Sequence, residues 1–234
     1  MDVVYPCRPG ENEELRYSIR SLTNLPHDTI WTVGGRPSWL NHDHHIDIDQ
    51  ARTKYQNSSA NIRAAIHDDR ISDTFYLFND DFFTIEPLDH LPTLHRGPLV
   101  DVLGWYETKH PKGYYTLGMR NTYNLLTSLG FTNPSSYELH MPMPVDRAKA
   151  KRAYGRVDKL IEQGRAERPL HWRTLYGNLA RIGGTQVKDC KVYDRHSRLP
   201  EGPFASTNDI VFRRGAAGVS IRRMFTEPSD LENS

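Results

Sequence analysis

The sequence is short of cysteine, of long apolar runs and of net charge. It has two cysteines in 234 residues, and 30 lysines and arginines stand against 29 aspartates and glutamates. No segment approaches the roughly 20 apolar residues of a membrane span, and the first residues lack the basic and then apolar layout of a signal peptide. We therefore expect a cytoplasmic protein without a transmembrane segment, in which Cys7 and Cys190 stay reduced.

The near-neutral charge and several missing motifs exclude common functional classes. A formal net charge of +1 gives no overall field that would attract nucleic acid, so an anionic ligand must be bound by a local group of residues. The sequence has no phosphate-binding GxGxxG motif or P-loop and no GxSxG nucleophile motif. These absences argue against a Rossmann dehydrogenase, a P-loop kinase and an α/β-hydrolase.

The order of apolar patterns in the first 100 residues predicts an α/β fold with a mostly parallel sheet flanked by helices. We expect strands at VVY, TIWTVGG, HIDID and FYLF, and amphipathic helices from Glu11 to about Leu22 and over SSANIRAAI, the second with a serine as N-cap. PCRPG at 6–10 is predicted to be a loop because of its two prolines and its glycine. Alternation of strand and helix is typical of a parallel sheet.

The second half of the chain is predicted to be mainly helical. We expect helices over RNTYNLLTSLGF, from about Asp146 to Gly164 and around HWRTLYGNLARIGG, with loops and short strands at 97–118 and a loop at HMPMPV. Short extended pieces are expected at GTQVKDCKVYD and ASTNDIVFRR. We predict one domain over 1–228, with halves at 1–100 and 101–228, and a disordered tail at 229–234.

Two adjacent aspartates follow directly on a predicted buried strand, in FYLFNDDFF at 75–83. Asp80 and Asp81 thus stand at the carboxyl end of that strand, where ligands bind in open α/β sheets. Two neighbouring carboxylates repel each other unless a cation, an arginine or a proton intervenes, and hard oxygen ligands suit Mg²⁺ or Mn²⁺ on a diphosphate. The alternative is a turn in which the aspartates bind local amides. The residues alone leave both possibilities open.

Two arginines and a histidine are further candidate site residues. Arg16 and Arg20 share one face of the first predicted helix, where their planar guanidinium groups can bind phosphate oxygens or form a solvated surface. His140 stands in a predicted loop next to proline-rich sequence and is a candidate for acid-base chemistry. The histidines at 42, 44 and 45 match no standard zinc spacing.

Six sequence blocks occur in an order that is typical of one protein family. The blocks are NEELRYSIRSL at 12–22, WTVGGRPSWLN at 31–41, SSANIRAAI with YLFNDDFF at 58–83, HMPMPVDR at 140–147, STNDIVF at 206–212 and FTEPSDLE at 225–232. In this order they resemble the Stealth family, which includes bacterial capsular polysaccharide phosphotransferases and the catalytic subunit of the lysosomal-enzyme N-acetylglucosamine-1-phosphotransferase. The resemblance covers nearly the whole chain.

The resemblance implies a GT-A-like nucleotide-sugar-binding domain that uses Mg²⁺ or Mn²⁺. It implies transfer of a sugar 1-phosphate from a UDP-type donor to a hydroxyl of a glycan, a lipid-linked glycan or a protein. The matching positions give Asp80 and Asp81 as metal ligands and Asp81, His140 and Asp209 as catalytic residues. The phosphate and nucleotide contacts implied in the same way are Arg16, Arg20, Arg173, Ser58 and Asn79.

The segment that precedes these six blocks departs from the family pattern, and this departure leaves two other functions open. The family has VYTWVDG or VYTWVNG where this chain has VVYPCRPG, so the expected polar residue is missing and Arg8 stands nearby. One alternative is therefore a GT-A glycosyltransferase that attacks the anomeric carbon and releases a nucleoside diphosphate. The other is a carbohydrate-binding protein without turnover, whose ligand contacts would be the aromatic residues Trp105, Tyr106, Tyr114 and Tyr115.

Overall fold

The computed structural model describes residues 1–233, which form ten strands and eight α-helices. The strands are β1 (Asp2–Cys7), β2 (Ile30–Gly34), β3 (His45–Ile46), β4 (Thr74–Leu77), β5 (Phe82–Thr84), β6 (Leu94–His95), β7 (Met143–Asp146), β8 (Thr185–Gln186), β9 (Lys191–Val192) and β10 (Phe204–Thr207). The helices are α1 (Glu13–Ser21), α2 (Lys54–His67), α3 (Leu99–Lys109), α4 (Tyr114–Ser128), α5 (Arg147–Glu162), α6 (Trp172–Leu179), α7 (Asp209–Arg214) and α8 (Ala216–Met224).

The chain divides into two compact units, each built from separate stretches of sequence. The first unit contains Met1–Leu91, His140–Arg147 and the chain from Cys190 onward, and the second contains Pro92–Leu139 and Ala148–Asp189. These boundaries differ from the division at residue 100 expected from the sequence.

A mixed five-stranded sheet forms the centre of the first unit. Its strand order is β3-β2-β1-β4-β7. The pairs β3-β2, β2-β1 and β1-β4 are parallel, and the edge strand β7 is antiparallel to β4. Val3, Val4, Phe75 and Leu77 are completely buried in this sheet, and α2 packs on β1 and β2. The predicted α/β fold with a mostly parallel central sheet flanked by helices is confirmed in outline.

Two prolines lie in strands where the sequence predicted loops. β1 continues through Pro6 and Cys7, which pair with Val33 and Gly34 of β2. Its pairing with β4 ends earlier, at Val4, so Pro6 stands where that side of β1 has no neighbouring strand. Pro144 lies in β7, an edge strand, although HMPMPV was expected to be a loop. Proline lacks a backbone N–H and is tolerated at such edge positions.

A smaller three-stranded sheet follows directly on the two aspartates. β10 is its central strand, antiparallel to β5 and parallel to β9. Ser206 pairs with Phe82 on one side and with Lys191 on the other. DIVFRR, expected to be extended, is instead α7, because the Asn208 side chain caps it by accepting a hydrogen bond of 2.9 Å from the N–H of Val211.

The helix α2 starts four residues before the predicted serine cap. Its N-cap is Thr53, which forms a reciprocal capping box with Gln56. Ser58 is therefore an exposed residue inside the helix, and the prediction of a serine N-cap was wrong. The inward-facing residues Ile62, Ala65 and Ile66 are buried, as expected.

The second unit is built mainly from helices. The loops expected at 97–118 are wrong, since α3 and the start of α4 occupy this stretch. The two helices share an apolar core with α5 and α6 that includes Leu103, Met119, Val157 and Leu175. Helices α5 and α6 occur where the sequence predicted them. None of the helices within the described residues is long and apolar enough to cross a membrane.

The last described residues, which were expected to be disordered, pair with the loop that follows β2. Asn41 donates its backbone N–H to the carbonyl of Leu231 at 2.8 Å, and Asn233 donates to the carbonyl of Trp39 at 2.8 Å. We call residues 226–233 the closing segment. The expected disorder is therefore not found over 229–233, and Ser234 lies outside the described residues.

Candidate functional site

Asp80 and Asp81 lie in the short turn between β4 and β5, at the carboxyl edge of the parallel strands. Asn79 opens this turn, and its carbonyl accepts a hydrogen bond of 3.2 Å from the N–H of Phe82. β1 ends at the same edge of the sheet because it runs parallel to β4. The loop from β1 to α1 therefore brings Arg8 and Asn12 to the aspartates.

Asp80 is held by two residues of that loop. Arg8 Nε lies 3.1 Å from Asp80 Oδ2, and Asn12 Nδ2 donates to the same oxygen at 2.9 Å. Burial raises the pKa of Asp80 to about 6, and the charge of Asp81 adds to this, whereas Arg8 and Asn12 act in the opposite direction. The positive charge at this site therefore only partly compensates the carboxylate.

Asp81 is held by a buried lysine. The ammonium of Lys191, whose side chain is 8% exposed, donates to Asp81 Oδ2 and to the carbonyl of Thr207. Ser206 Oγ lies 3.2 Å from both Lys191 Nζ and Asp81 Oδ2. The small sheet fixes this arrangement, since Lys191 and Ser206 are paired neighbours in β9 and β10.

Arg8 also joins two further carboxyl groups. Its Nη2 lies 2.8 Å from Asp209 Oδ1 and 3.3 Å from Glu14 Oε2, and its Nη1 lies 3.3 Å from Asp209 Oδ2. This two-point contact with Arg8 holds the pKa of Asp209 well below its usual range. Asp209 is therefore ionised at neutral pH.

Glu14 is the most perturbed carboxyl group of the site. It is 4% exposed, and burial raises its pKa to about 9, with further contributions from Asp209, Asp81 and Asp80. Glu14 is thus protonated at neutral pH, and Thr207 Oγ1 donates to its Oε1 at 3.1 Å. Protonated Glu14 and ionised Asp209 differ in charge although they contact the same arginine.

The site has more negative than positive groups. We call the four carboxyl groups of Glu14, Asp80, Asp81 and Asp209, with the cations Arg8 and Lys191, the acidic cluster. A cleft of about 200 Å³ opens beside it, lined by Arg8, Asn12, Glu13, Glu14, Asp209 and Arg213, among others. Burial is the main cause of the raised pKa values of Glu14 and Asp80, and the neighbouring carboxyl groups raise both pKa values further.

The donor set of this cluster fits a divalent cation that shares its ligands with a phosphate. Mg²⁺ is usually bound through one or two carboxylates, with water and substrate phosphate as the other ligands. Asp80 and Asp81 supply two adjacent carboxylates, and an added cation would offset the excess negative charge. In the part of the chain that the structure describes, no three or more His, Cys, Asp or Glu side chains are arranged to hold a metal by themselves. The residues therefore fit an open metal site, in which water and phosphate complete the coordination, and not a site made of protein ligands alone.

His140 lies in the same unit and forms an aromatic group with two neighbours. Its ring lies edge-on to Phe82, with centroids 6.5 Å apart, and edge-on to Tyr193, with centroids 6.3 Å apart. Cys190 Sγ donates to the His140 carbonyl at 3.0 Å. Tyr193 is 65% exposed and follows β9, so it presents an open aromatic surface two residues after Lys191.

Arg16 and Arg20 contact the closing segment. Arg20 Nε and Nη2 lie 2.7 and 2.6 Å from the two carboxylate oxygens of Glu232, and its Nη1 lies 3.2 Å from the carbonyls of Phe225 and Thr226. Arg16 Nε lies 3.6 Å from Glu232 Oε2, and its guanidinium stacks 4.8 Å from the centre of the Trp39 ring. A carboxylate thus binds where the sequence predicted phosphate oxygens. The phosphate role of the two arginines stays a prediction.

The other residues that were predicted to contact phosphate or nucleotide belong to different elements of the structure. Arg173 belongs to α6 of the second unit, is 6% exposed and donates from Nη1 to the Leu139 carbonyl at 3.2 Å. Ser58 is exposed on α2, and Asn79 is half-buried beside Asp80. Of the predicted site residues, Asp80, Asp81 and Asp209 belong to the acidic cluster, with Asn79 in the same turn.

Sequence reasoning missed several members of the site. Arg8 was noted as a departure from the family pattern, but Asn12, Glu14, Lys191 and Ser206 were given no role. Asn12, Glu14 and Ser206 lie within blocks that resemble the Stealth family, and this resemblance was a signal that could have identified them. Lys191 lies outside every block, and its contact with Asp81 arises from strand pairing. Comparison of the chain with protein-family models and with curated proteins gives no match.

Proposed function

We propose that this chain is a nucleotide-sugar-dependent transferase with a GT-A-like fold. In this proposal it moves a sugar 1-phosphate from a UDP-type donor to a hydroxyl of a glycan, a lipid-linked glycan or a protein, with Mg²⁺ or Mn²⁺. The observation that carries the proposal is the acidic cluster at the carboxyl edge of the parallel sheet. Its residues come from four distant sequence stretches, at 8–14, 80–81, 191 and 209. Its four carboxyl groups lie in three of the blocks that resemble the Stealth family.

The reaction must bring a hydroxyl group to a diphosphate that carries negative charge. A divalent cation bound by Asp80 and Asp81 would supply charge neutralisation on that diphosphate. Asp209 stays ionised and holds the guanidinium of Arg8 at the cleft, where Arg8 orients and stabilises the phosphates. His140 accepts the proton of the attacking hydroxyl in this scheme. Positioning and charge stabilisation then supply most of the rate enhancement.

Transfer of the sugar itself is the second candidate function, because the segment VVYPCRPG departs from the family pattern where a polar residue near the nucleotide is expected. Arg8 occupies the region where the family pattern has an acidic or amide residue, and it is half exposed and bound to Asp80 and Asp209. The acidic cluster serves attack at the anomeric carbon as well as attack at phosphorus, since the leaving group is a nucleoside phosphate in both cases. The two reactions differ in the nucleotide that is released.

The product nucleotide tests both candidates. The purified protein is incubated with Mn²⁺ and a panel of nucleotide sugars, with and without glycan acceptors, and the released nucleotide is identified by chromatography. We expect UMP, which means that the β-phosphorus is attacked. UDP would replace this proposal by the glycosyl-transfer candidate. If no donor yields a nucleotide above the level of an Asp80→Asn control, both candidates are wrong.

A further inference from the structure

Lys191 is the cation closest to Asp81 in the structure. Its ammonium has three oxygen partners, Asp81 Oδ2, Ser206 Oγ and the Thr207 carbonyl. Its side chain is 8% exposed and that of Asp81 is 18% exposed, so the pair is largely shielded from water. The lysine therefore neutralises the carboxylate that the proposed function assigns to a divalent cation.

A metal ion and an ammonium compete for the same carboxylate oxygen. Two cations on one oxygen repel each other strongly in a partly buried site, because solvent screens them weakly there. A divalent cation at Asp81 therefore requires that Lys191 leave Oδ2. The other two partners of the ammonium belong to β10 and do not depend on Asp81, so a shifted Lys191 keeps two of its three hydrogen bonds.

A displaced ammonium still needs a third partner. A buried cation that loses its counter-ion is costly unless another anion replaces it. The phosphate oxygens of a nucleotide held by the metal at Asp80 and Asp81 are the nearest anions that the proposed function provides. Lysine binds phosphate as a compact point charge with three donors.

We propose that Lys191 is an exchangeable counter-ion of Asp81, which a divalent cation displaces and which then binds a phosphate of the nucleotide. This inference rests on the proposed function. It explains why a metal ligand carries its own buried lysine. It also makes the binding of metal and nucleotide interdependent, because the nucleotide supplies the anion that the displaced lysine requires.

Two binding measurements on Lys191→Met test the proposal. Mn²⁺ binding is followed by electron paramagnetic resonance without nucleotide, and UDP binding by calorimetry at saturating Mn²⁺. We expect the variant to bind Mn²⁺ about tenfold more tightly, because a competing cation is gone, and to bind UDP about tenfold more weakly, because a phosphate contact is gone. Opposite changes distinguish this role from simple damage to the site, which would weaken both.

Two further variants serve as controls for effects on folding and on charge. Lys191→Gln keeps a hydrogen-bond donor toward Ser206 and Thr207 without the charge, and the same two shifts are expected if Lys191→Met does not fold. Lys188→Met removes an exposed lysine three residues earlier and should bind Mn²⁺ and UDP as the unmodified protein does.

The outcomes separate this inference from the proposed function. Unchanged or weaker Mn²⁺ binding in a folded Lys191 variant overturns the inference and leaves the proposed function intact, provided that the unmodified protein binds Mn²⁺. Tighter Mn²⁺ binding with unchanged UDP binding also overturns it, since Lys191 would then only block the metal. If neither the unmodified protein nor the variants bind Mn²⁺, both the inference and the metal in the proposed function are wrong.

Discussion

The ammonium of Lys191 hydrogen-bonds to the carboxylate of Asp81, which lies 110 residues earlier in the sequence. Ser206, on the strand between them, is 3.2 Å from both charged groups. The contact is fixed by the pairing of β9, β10 and β5 and not by a flexible loop. Folding of the small sheet therefore places a counter-ion at the aspartate pair before any ligand is bound.

Asp81→Asn should abolish turnover at a moderate cost in stability. The amide removes the charge that holds the metal, and we expect the rate to fall about 100-fold or more. Lys191 loses its charged partner but keeps Ser206 and Thr207, so the free energy of unfolding should fall by about 1–3 kcal/mol. Steady-state kinetics and urea unfolding measure the two effects. Asp89→Asn, at an exposed position, is the matched control, and turnover near the control value would rule out Asp81 as a metal ligand.

Glu14→Gln should flatten the pH dependence of stability. The pKa of Glu14 is raised from 4.5 to about 9 in the folded protein, so the folded state keeps a proton that the unfolded chain releases. Stability therefore falls as pH rises between these values, by up to about 1.4 kcal/mol per pH unit from this group. Glutamine cannot ionise and removes this contribution.

Urea unfolding of both proteins near pH 5 and near pH 8 measures the effect of Glu14. We expect the variant to lose less stability than the unmodified protein across this interval. The contribution of Asp209 does not interfere, because its pKa is lowered and its stabilising effect is lost only in strong acid. Equal losses in the two proteins would show that Glu14 is already ionised at neutral pH.

The pair Arg20 and Glu232 should couple the closing segment to α1. Both side chains are largely buried, at 9% and 7% exposed, and they form two hydrogen bonds with each other. A double-mutant cycle with Arg20→Met and Glu232→Gln should give an interaction energy of about 1–3 kcal/mol. Arg223→Met removes an exposed arginine and serves as control. An interaction energy near zero would mean that the pair does not hold the closing segment. The predicted phosphate contact of Arg20 is tested separately, by the donor KM of Arg20→Met.

Tyr193 should contribute to nucleotide-sugar binding by stacking. Its ring is 65% exposed beside His140, so its removal creates no cavity in the core. Stacking of a base on an aromatic ring contributes about 1–3 kcal/mol, so Tyr193→Ala should raise the donor KM about tenfold or more. Tyr193→Phe keeps the ring and should retain the KM of the unmodified protein. Equal KM values for the alanine and phenylalanine variants would exclude stacking on this residue.

Much of the first unit could be predicted because its signals are local. Apolar runs identified β2, which ends in glycines, and β4, and the spacing of Leu15 and Ile19 identified α1. The prediction failed where tertiary context decides the conformation. Pro6 and Pro144 are in strands because each lies at a side of a strand that needs no N–H donor, and this depends on which strands are neighbours. Residues 97–118 were misassigned because their aromatic residues and glycines hid the helical packing of α3 and α4.

The candidate site could be predicted only in part. Asp80 and Asp81 could be identified from the sequence because a buried strand leads directly into them. Their counter-ions could not be identified in this way. Arg8 reaches Asp80 through the parallel pairing of β1 with β4, and Lys191 reaches Asp81 through the small sheet. Contacts of this kind are set by strand order, and neither residue belongs to a local motif.

The most direct test is to locate the metal in a crystal. Crystals grown with Mn²⁺ and UDP are measured at the manganese absorption edge, and an anomalous difference map gives the position of the ion. We predict one strong peak within coordination distance of the carboxylates of Asp80 and Asp81, with a phosphate oxygen of UDP as a further ligand. A nucleotide and metal bound elsewhere, with Arg8 and Lys191 still paired to the two aspartates, would contradict the proposed site.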